Sequence, residues 1–165
     1  MSTVKVGFAG GTTLIDRVIQ KASGSEYCDI THAFIFLLDS IAEAEGVKEY
    51  DDIYPGFWLH PPDKYAGDEH VKIVELDVPD LAAAQEGARR LLGTPYSYHG
   101  CLEAEAKLSG LALPVDGEHT VMCSEAVTRI LRASGLCICP DNLADDVTPV
   151  MLYEDIMKFR GGALV

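Results

Sequence analysis

Apolar and polar positions divide the chain into short alternating blocks and stretches of helical spacing. Val4 to Ala9 reads as a short strand ended by Gly10 and Gly11. Thr13, with Asp16 three residues on, resembles a capping box. Leu14, Ile15, Val18 and Ile19 then recur at helical spacing through Ala22, until Ser23-Gly24-Ser25 ends the pattern. After its first residue, His32 to Leu38 is apolar on both alternating sets, which predicts a central strand covered on both faces. Asp39-Ser40 reads as the tight turn of a hairpin returning through Ile41 to Val47. Residues 50–70 contain Pro55, Gly56, Pro61, Pro62 and Gly67 and read as a long loop. That loop carries Phe57, Trp58 and Leu59 either as a lid or substrate wall or as core packing.

Val71 to Val78 alternates cleanly enough for a third or fourth strand. Pro79-Asp80 then starts a helix running through Leu92 and closed by Gly93. A helical or irregular stretch from Tyr98 to Leu108 leads to a helix that opens at Cys123 and runs to about Ala133. Thr148-Pro149 starts a last turn or short helix ending near Phe159. With no internal repeat, the order predicts one α+β domain over residues 1–165, a small antiparallel sheet packed against helices.

Composition narrows the function classes. The 165 residues, 48% hydrophobic and 24% charged, are those of an ordinary globular chain long enough for a core without disulfide or metal staples. Thirteen Lys and Arg against 26 Asp and Glu give a formal charge of −13, which argues against nucleic acid and anionic membrane surfaces as partners. No apolar run reaches the roughly 20 residues of a membrane span, so no stable membrane insertion is expected. The N-terminus lacks a basic stretch leading into a secretory segment, and five cysteines, an odd number without regular spacing, suit a reducing compartment. The expectation is a cytoplasmic protein, with export by a route lacking a signal peptide as the alternative.

Candidate chemistry gathers around two residues. Cys123 opens a helix and shares one stripe with Val127 and Ile130, pointing toward the sheet. The unpaired N–H groups and dipole of a helix start favour the thiolate, although a free cysteine at such a position is also a common core residue. His32 opens an otherwise apolar strand, where an imidazole needs a hydrogen-bonding partner and is often simply a satisfied core histidine. Together they form the two halves of a Cys-His couple. A third polar residue should hold the imidazole, and the returning strand offers Glu43 and Glu45 on the same face. With the turn at Asp39-Ser40, Glu45 lies opposite Phe34 and diagonal to His32, about 7 Å away, while Glu43 lies farther along. A shifted turn or a bulge reverses that choice.

These segments, in this order, resemble the circularly permuted branch of the NlpC-type papain-like hydrolases, the group of the bacterial YiiX proteins, with lecithin retinol acyltransferase as a more distant relative. Thr31-His32-Ala33-Phe34-Ile35-Phe36 looks like the family's His strand, and residues 42–47 look like its Glu-Ala strand. Gly93-Thr94-Pro95-Tyr96-Ser97-Tyr98 is similar to its Gly-Lys-Pro-Tyr-Asp segment. Met122-Cys123-Ser124-Glu125-Ala126-Val127 is similar to its Cys-Ser-Glu-Leu-Val, and Asp146-Val147-Thr148-Pro149 to its closing Thr-Pro element. The resemblance implies a permuted papain-like fold with the nucleophile at a helix N-terminus. It makes Cys123 the nucleophile, His32 the base and Glu43 the orienting acid, and matches Tyr96 to a tyrosine beside the thiolate at the oxyanion site, with a plain core tyrosine as the alternative. The strand is about one residue shorter than usual between His and Glu, which keeps Glu45 in play. Ala126 stands where Leu is usual, and the stretch from His99 to Leu108 has no fixed counterpart.

The reading is a cysteine hydrolase, an amidase or peptidase cleaving a peptide or cell-wall peptide bond through an acyl-enzyme, needing no cofactor or metal. Its alternatives are a lipid acyl hydrolase or acyltransferase, and a catalytically idle binding or phage-structural module that keeps the fold. His119, four residues before Cys123, is a rival base. Cys137 and Cys139, with Cys101 or Cys28, have poor zinc spacing and read as structural or incidental thiols. The Gly10-Gly11-Thr12-Thr13 turn lacks a Walker lysine and reads as a plain strand-to-helix turn.

Overall fold

The computed structural model describes residues 2–11, 29–98 and 119–162. The helix expected after Thr13, the stretch from His99 to Leu108, Cys28 and Cys101 lie outside them. Among the described residues five strands form one antiparallel sheet: β1 Ser2–Ala9, β2 His32–Leu37, β3 Ser40–Ala44, β4 Phe57–His60 and β5 Val71–Val78. Their spatial order is β4-β3-β2-β1-β5, so β2 is central, as its two-sided apolar pattern predicts. Helices α1 Leu81–Leu91, α2 Cys123–Ala133 and α3 Pro149–Gly162 follow, with a 3₁₀ turn at Ala144–Asp146. This is a small α+β fold with an antiparallel sheet packed against helices.

Strand alternation sorts side chains onto two different faces. Val4, Val6, Phe8, Ala33, Ile35, Leu37, Ala42 and Ala44 join Val127, Ile130 and Leu131 of α2 in the main core. The opposite face buries a smaller cluster of Ala9, Phe34 and Ile41, against which Tyr65 packs. Gly7 makes that face possible: a Cβ there would stand 2.1 Å from the Phe34 ring. Phe34 is thereby free to stack on Tyr65, with centroids 4.3 Å apart, so the segment after β4 closes over this side of the sheet.

Local signals place the helices. The Asp80 carboxylate accepts from the Ala83 N–H at 2.9 Å and caps α1. At α2, the Glu125 side chain reaches back to accept the Met122 N–H at 3.2 Å, and Ser124 Oγ donates to Val147 O at 2.6 Å. The helix start is thus tied both to its own entry and to the 3₁₀ turn. α2 packs against α1, α3, β2 and β3, which carries its N-terminus to the sheet.

Three expectations are corrected. The hairpin turn is Leu38-Asp39, not Asp39-Ser40: Leu37 pairs with Ser40, and both turn residues have positive φ, 56° and 55°. Such a pair matches strand twist in a two-residue hairpin but is disfavoured for leucine by roughly 1–2 kcal/mol. Packing of the Leu38 side chain against the main core offsets that cost. Consequently the register differs from the expected one, and continuing the ladder past Ile35↔Ala42 sets Glu43, not Glu45, across from Phe34. The return strand ends at Ala44 instead of Val47. Finally, residues 50–70 are not all loop: Phe57-Trp58-Leu59 belongs to β4, pairs with Ala44, Glu43 and Ala42, and buries Phe57 completely, the core-packing alternative. β5 is accordingly the fifth strand.

Candidate functional site

The N-terminal residue of β2 and the first residue of α2 meet. Cys123 is 3% exposed, and the His32 imidazole engages its thiol by hydrogen bond and by charge. On its other side His32 Nε2 lies 2.7 Å from Glu43 Oε2. Glu43 is completely buried on β3. With Nε2 facing a carboxylate, that nitrogen carries the proton and Nδ1 is left for the thiol. The corrected register brings both acids near the imidazole, Glu45 across from His32 and Glu43 diagonal to it, and it is the Glu43 side chain that reaches Nε2 while Glu45 turns to Lys64.

The electrostatics of the three groups reinforce one another. Burial pushes the Cys123 thiol up, but the charge and hydrogen bond of His32, with the N–H groups of Ala33 and Ser124, bring its pKa below the ordinary thiol value. Burial likewise opposes a charged His32. Its contacts with Cys123 and Glu43 nonetheless hold the imidazole well above its ordinary value. Burial also disfavours a charged Glu43, yet His32 and Lys64 together lower its carboxyl to about 2. The arrangement favours a thiolate–imidazolium pair backed by a carboxylate, the charge state from which a cysteine attacks an electrophilic carbon.

Glu45 has a different partner. Its Oε2 accepts from Lys64 Nζ at 2.6 Å. Burial and the neighbouring Glu43 raise its pKa, against the opposing pull of Lys64 and His32. Tyr96 is half-buried and packs on Met122, and its backbone bridges Val121 beside the entry to α2. A Cβ on Gly46 would stand 3.2 Å from the Tyr96 ring and 3.1 Å from that of Tyr98, so the segment leaving β3 lies against this tyrosine pair. His119 is exposed in the turn ahead of α2, and the imidazole that engages Cys123 is that of His32. Cys137 is exposed and Cys139 buried.

Several polar residues of the cluster went unforeseen. Lys64 Nζ lies 2.9 Å from Glu43 Oε1 and 2.9 Å from Glu49 Oε2 as well as against Glu45. Tyr65 Oη donates to Glu43 Oε2 at 2.8 Å. His60, 2% exposed, has Nδ1 3.1 Å from Lys64 Nζ and Nε2 3.4 Å from Asp52 Oδ2. The available signal was charge imbalance: residues 43–64 hold Glu43, Glu45, Glu49, Asp51, Asp52 and Asp63 against only Lys48 and Lys64. Donor atoms of His32, Glu43 and Glu45 converge within 4.8 Å, as do those of Glu45, Glu49 and His60, sets whose chemistry suits a cation. The Lys64 ammonium lies among these carboxylates and supplies the positive charge they need.

Among the described residues no helix is long and apolar enough to cross a membrane. Compared with known proteins, the chain matches no family model and no curated protein.

Proposed function

We propose that the protein is a cysteine hydrolase of permuted papain-like type that cleaves an amide bond, with Cys123 as nucleophile, His32 as base and Glu43 as the acid that orients it. The observation that carries this reading is the His32 imidazole, bound at Nε2 by a buried carboxylate 2.7 Å away and in contact with a thiol at a helix start. The Cys123 thiolate adds to the substrate carbonyl, and backbone N–H groups at the start of α2 stabilise the oxyanion. The imidazolium of His32 gives its proton to the leaving amine as the C–N bond breaks, leaving a thioester on Cys123. Water then attacks the thioester while His32 takes its proton. Collapse releases the carboxylic acid and restores the thiolate–imidazolium pair.

Of the two acids that competed for the orienting role, Glu43 is favoured because it touches the imidazole, whereas Glu45 is engaged by Lys64. Tyr96 stands beside the α2 entry and is assigned to the wall of the oxyanion site. Acyl-ester cleavage is the second reading. One observation favours it: the segment that leaves β3 and carries Glu45 presents Val47, Tyr50 and Ile53 to solvent, 57%, 60% and 71% exposed.

The test is alkylation of Cys123 by iodoacetamide across pH, followed by peptide mapping. The wild type should react fastest relative to a free thiol between about pH 5 and 7, where an ordinary thiol is protonated. His32→Ala should shift Cys123 toward ordinary thiol behaviour. A Cys123 no more reactive than a free thiol at pH 6, with a profile indifferent to His32, would remove the centre of the proposal. Peptide amides and acyl esters offered in parallel to the wild type decide between the two substrate classes.

A further inference from the structure

Lys64 lies on neither β2, β3 nor α2, yet it completes the polar cluster behind them. Each oxygen of Glu43 has a separate engagement. Oε2 meets His32 Nε2 at 2.7 Å and the Tyr65 hydroxyl at 2.8 Å, and Oε1 meets Lys64 Nζ at 2.9 Å. Three contacts, one from β2 and two from the consecutive pair Lys64-Tyr65, leave the carboxylate plane little freedom to rotate. Lys64 is itself fixed, with Nζ also 2.6 Å from Glu45 Oε2, 2.9 Å from Glu49 Oε2 and 3.1 Å from His60 Nδ1. Its side chain is only 8% exposed, so these contacts are poorly screened by solvent. Tyr65 is held in turn by its stack on Phe34, the neighbour of His32 two residues along β2.

We infer that Lys64 is a positioning residue of the proposed hydrolase: its ammonium, anchored by Glu45 and Glu49, aims the ionised Glu43 carboxylate at His32. The inference rests on the hydrolase reading and adds to it a cation, delivered by the segment between β4 and β5, on which the Cys123–His32 pair depends. The groups that face this carboxylate are His32 on β2; Glu45, Glu49 and Asp52 after β3; His60 on β4; Lys64 and Tyr65 beyond it; and Cys123 across the imidazole on α2. Without Lys64, the buried Glu43 faces the half-buried Glu45 and Glu49 as like charges. If Glu43 takes up a proton, its hold on the imidazolium weakens. If all three stay ionised, the unbalanced negative charge disfavours the neighbouring thiolate. Both outcomes make the reactive thiolate form at higher pH.

The experiment is the iodoacetamide profile of Cys123 in Lys64→Met, Lys64→Arg and Tyr65→Phe, each against the wild type and His32→Ala. Met keeps the aliphatic stem but not the charge. Lys64→Met should react about tenfold more slowly at pH 6 and within about twofold of wild type at pH 9, a displaced acid limb. Lys64→Arg should restore most of the rate at pH 6. Tyr65→Phe, which keeps the stacked ring and loses one hydroxyl, should shift the limb in the same direction by less. A Lys64→Met protein that melts at lower temperature but keeps the wild-type profile would make Lys64 a structural anchor and overturn the inference while leaving the hydrolase reading intact. If the wild type itself shows no His32-dependent reactivity, both fall together. Should Lys64→Met fail to fold, Tyr65→Phe and Lys64→Arg decide: two unshifted profiles overturn the inference, and a limb displaced upward in Tyr65→Phe with Lys64→Arg near wild type supports it.

Discussion

Cys123 and Cys139 are both buried thiols, 3% and 6% exposed, and their surroundings drive them in opposite directions. Burial disfavours the thiolate in both places. At Cys123 the imidazole of His32 and two backbone N–H groups outweigh it and lower the pKa. At Cys139 burial is joined by the Asp155 carboxylate, and the thiol is pushed up to about 12. The Cys139 backbone N–H donates to Asp155 Oδ2 at 2.7 Å, Arg132 holds the adjoining carbonyls of Ile138, Cys139 and Asn142, and Sγ faces the Met151 carbonyl at 3.9 Å. The positive charges of Arg132 and Lys158 pull the other way but do not outweigh burial and Asp155, so the sulfur is held as a neutral S–H. Burial and residue type alone therefore do not separate a thiol whose pKa is lowered from one whose pKa is raised; the balance of the neighbouring charges and N–H groups does.

The largest expected contrast is in activity. Once a substrate amide or ester is found, Cys123→Ala should reduce turnover by at least about 10³-fold, whereas Cys139→Ala should leave it within about twofold if the protein stays folded. Alkylation at pH 7 should likewise modify Cys123 and spare Cys139 in the folded protein, as read by peptide mass. Modification of Cys139 at a rate comparable to Cys123 would break the comparison.

The next contrast lies behind the imidazole. Glu43→Gln keeps the shape but removes the charge that holds His32, and should lower turnover by about 10²-fold with little change in KM. Glu45→Gln should cost no more than about threefold, because Glu45 meets the ammonium of Lys64. Equal losses in the two variants would return Glu45 to the orienting role.

The smallest effect is on stability against acid. Glu43 has an ordinary carboxyl value of 4.5 and about 2 in the folded protein, so its ionised form contributes stability that is fully present above pH 4.5. That contribution, on the order of 3 kcal/mol, is lost as pH falls toward about 2. Urea midpoints measured between pH 6 and pH 2 should fall less steeply in Glu43→Gln than in the wild type. Parallel slopes would show that Glu43 is not the carboxylate whose charge the fold holds.

Much of the fold was legible because its cause is local. Periodicity located β1, β2, β5, α1 and α2 to within a few residues, since an alternating or 3.6-residue apolar pattern reflects the face each segment must bury, whereas Thr148-Pro149 signals only a last turn or short helix and α3 runs for 14 residues. The Asp80 cap lies within a few residues of the group it satisfies. β4 was missed because its four residues sit among prolines and glycine, and the reason they are a strand is their pairing with β3. The turn was misplaced by one residue because Leu38 carries no turn signal. Its left-handed conformation is sustained by the core against which it packs.

The candidate site divides along the same line. Sequence by itself determined a cysteine at a helix start, a lone histidine at the head of an apolar strand and a glutamate on the returning strand with a second just past its end, because residue type and spacing express these directly. Tertiary structure alone decided that Glu43 is the acid that touches the imidazole, that Glu45 turns to Lys64, and that the Lys64–Tyr65 segment closes over Glu43. A one-residue change in turn position moves every cross-strand pair, and an ion pair between segments depends on where the chain brings them rather than on any local propensity. The chemical character of the groups is local, and their partnership is a property of the packed chain.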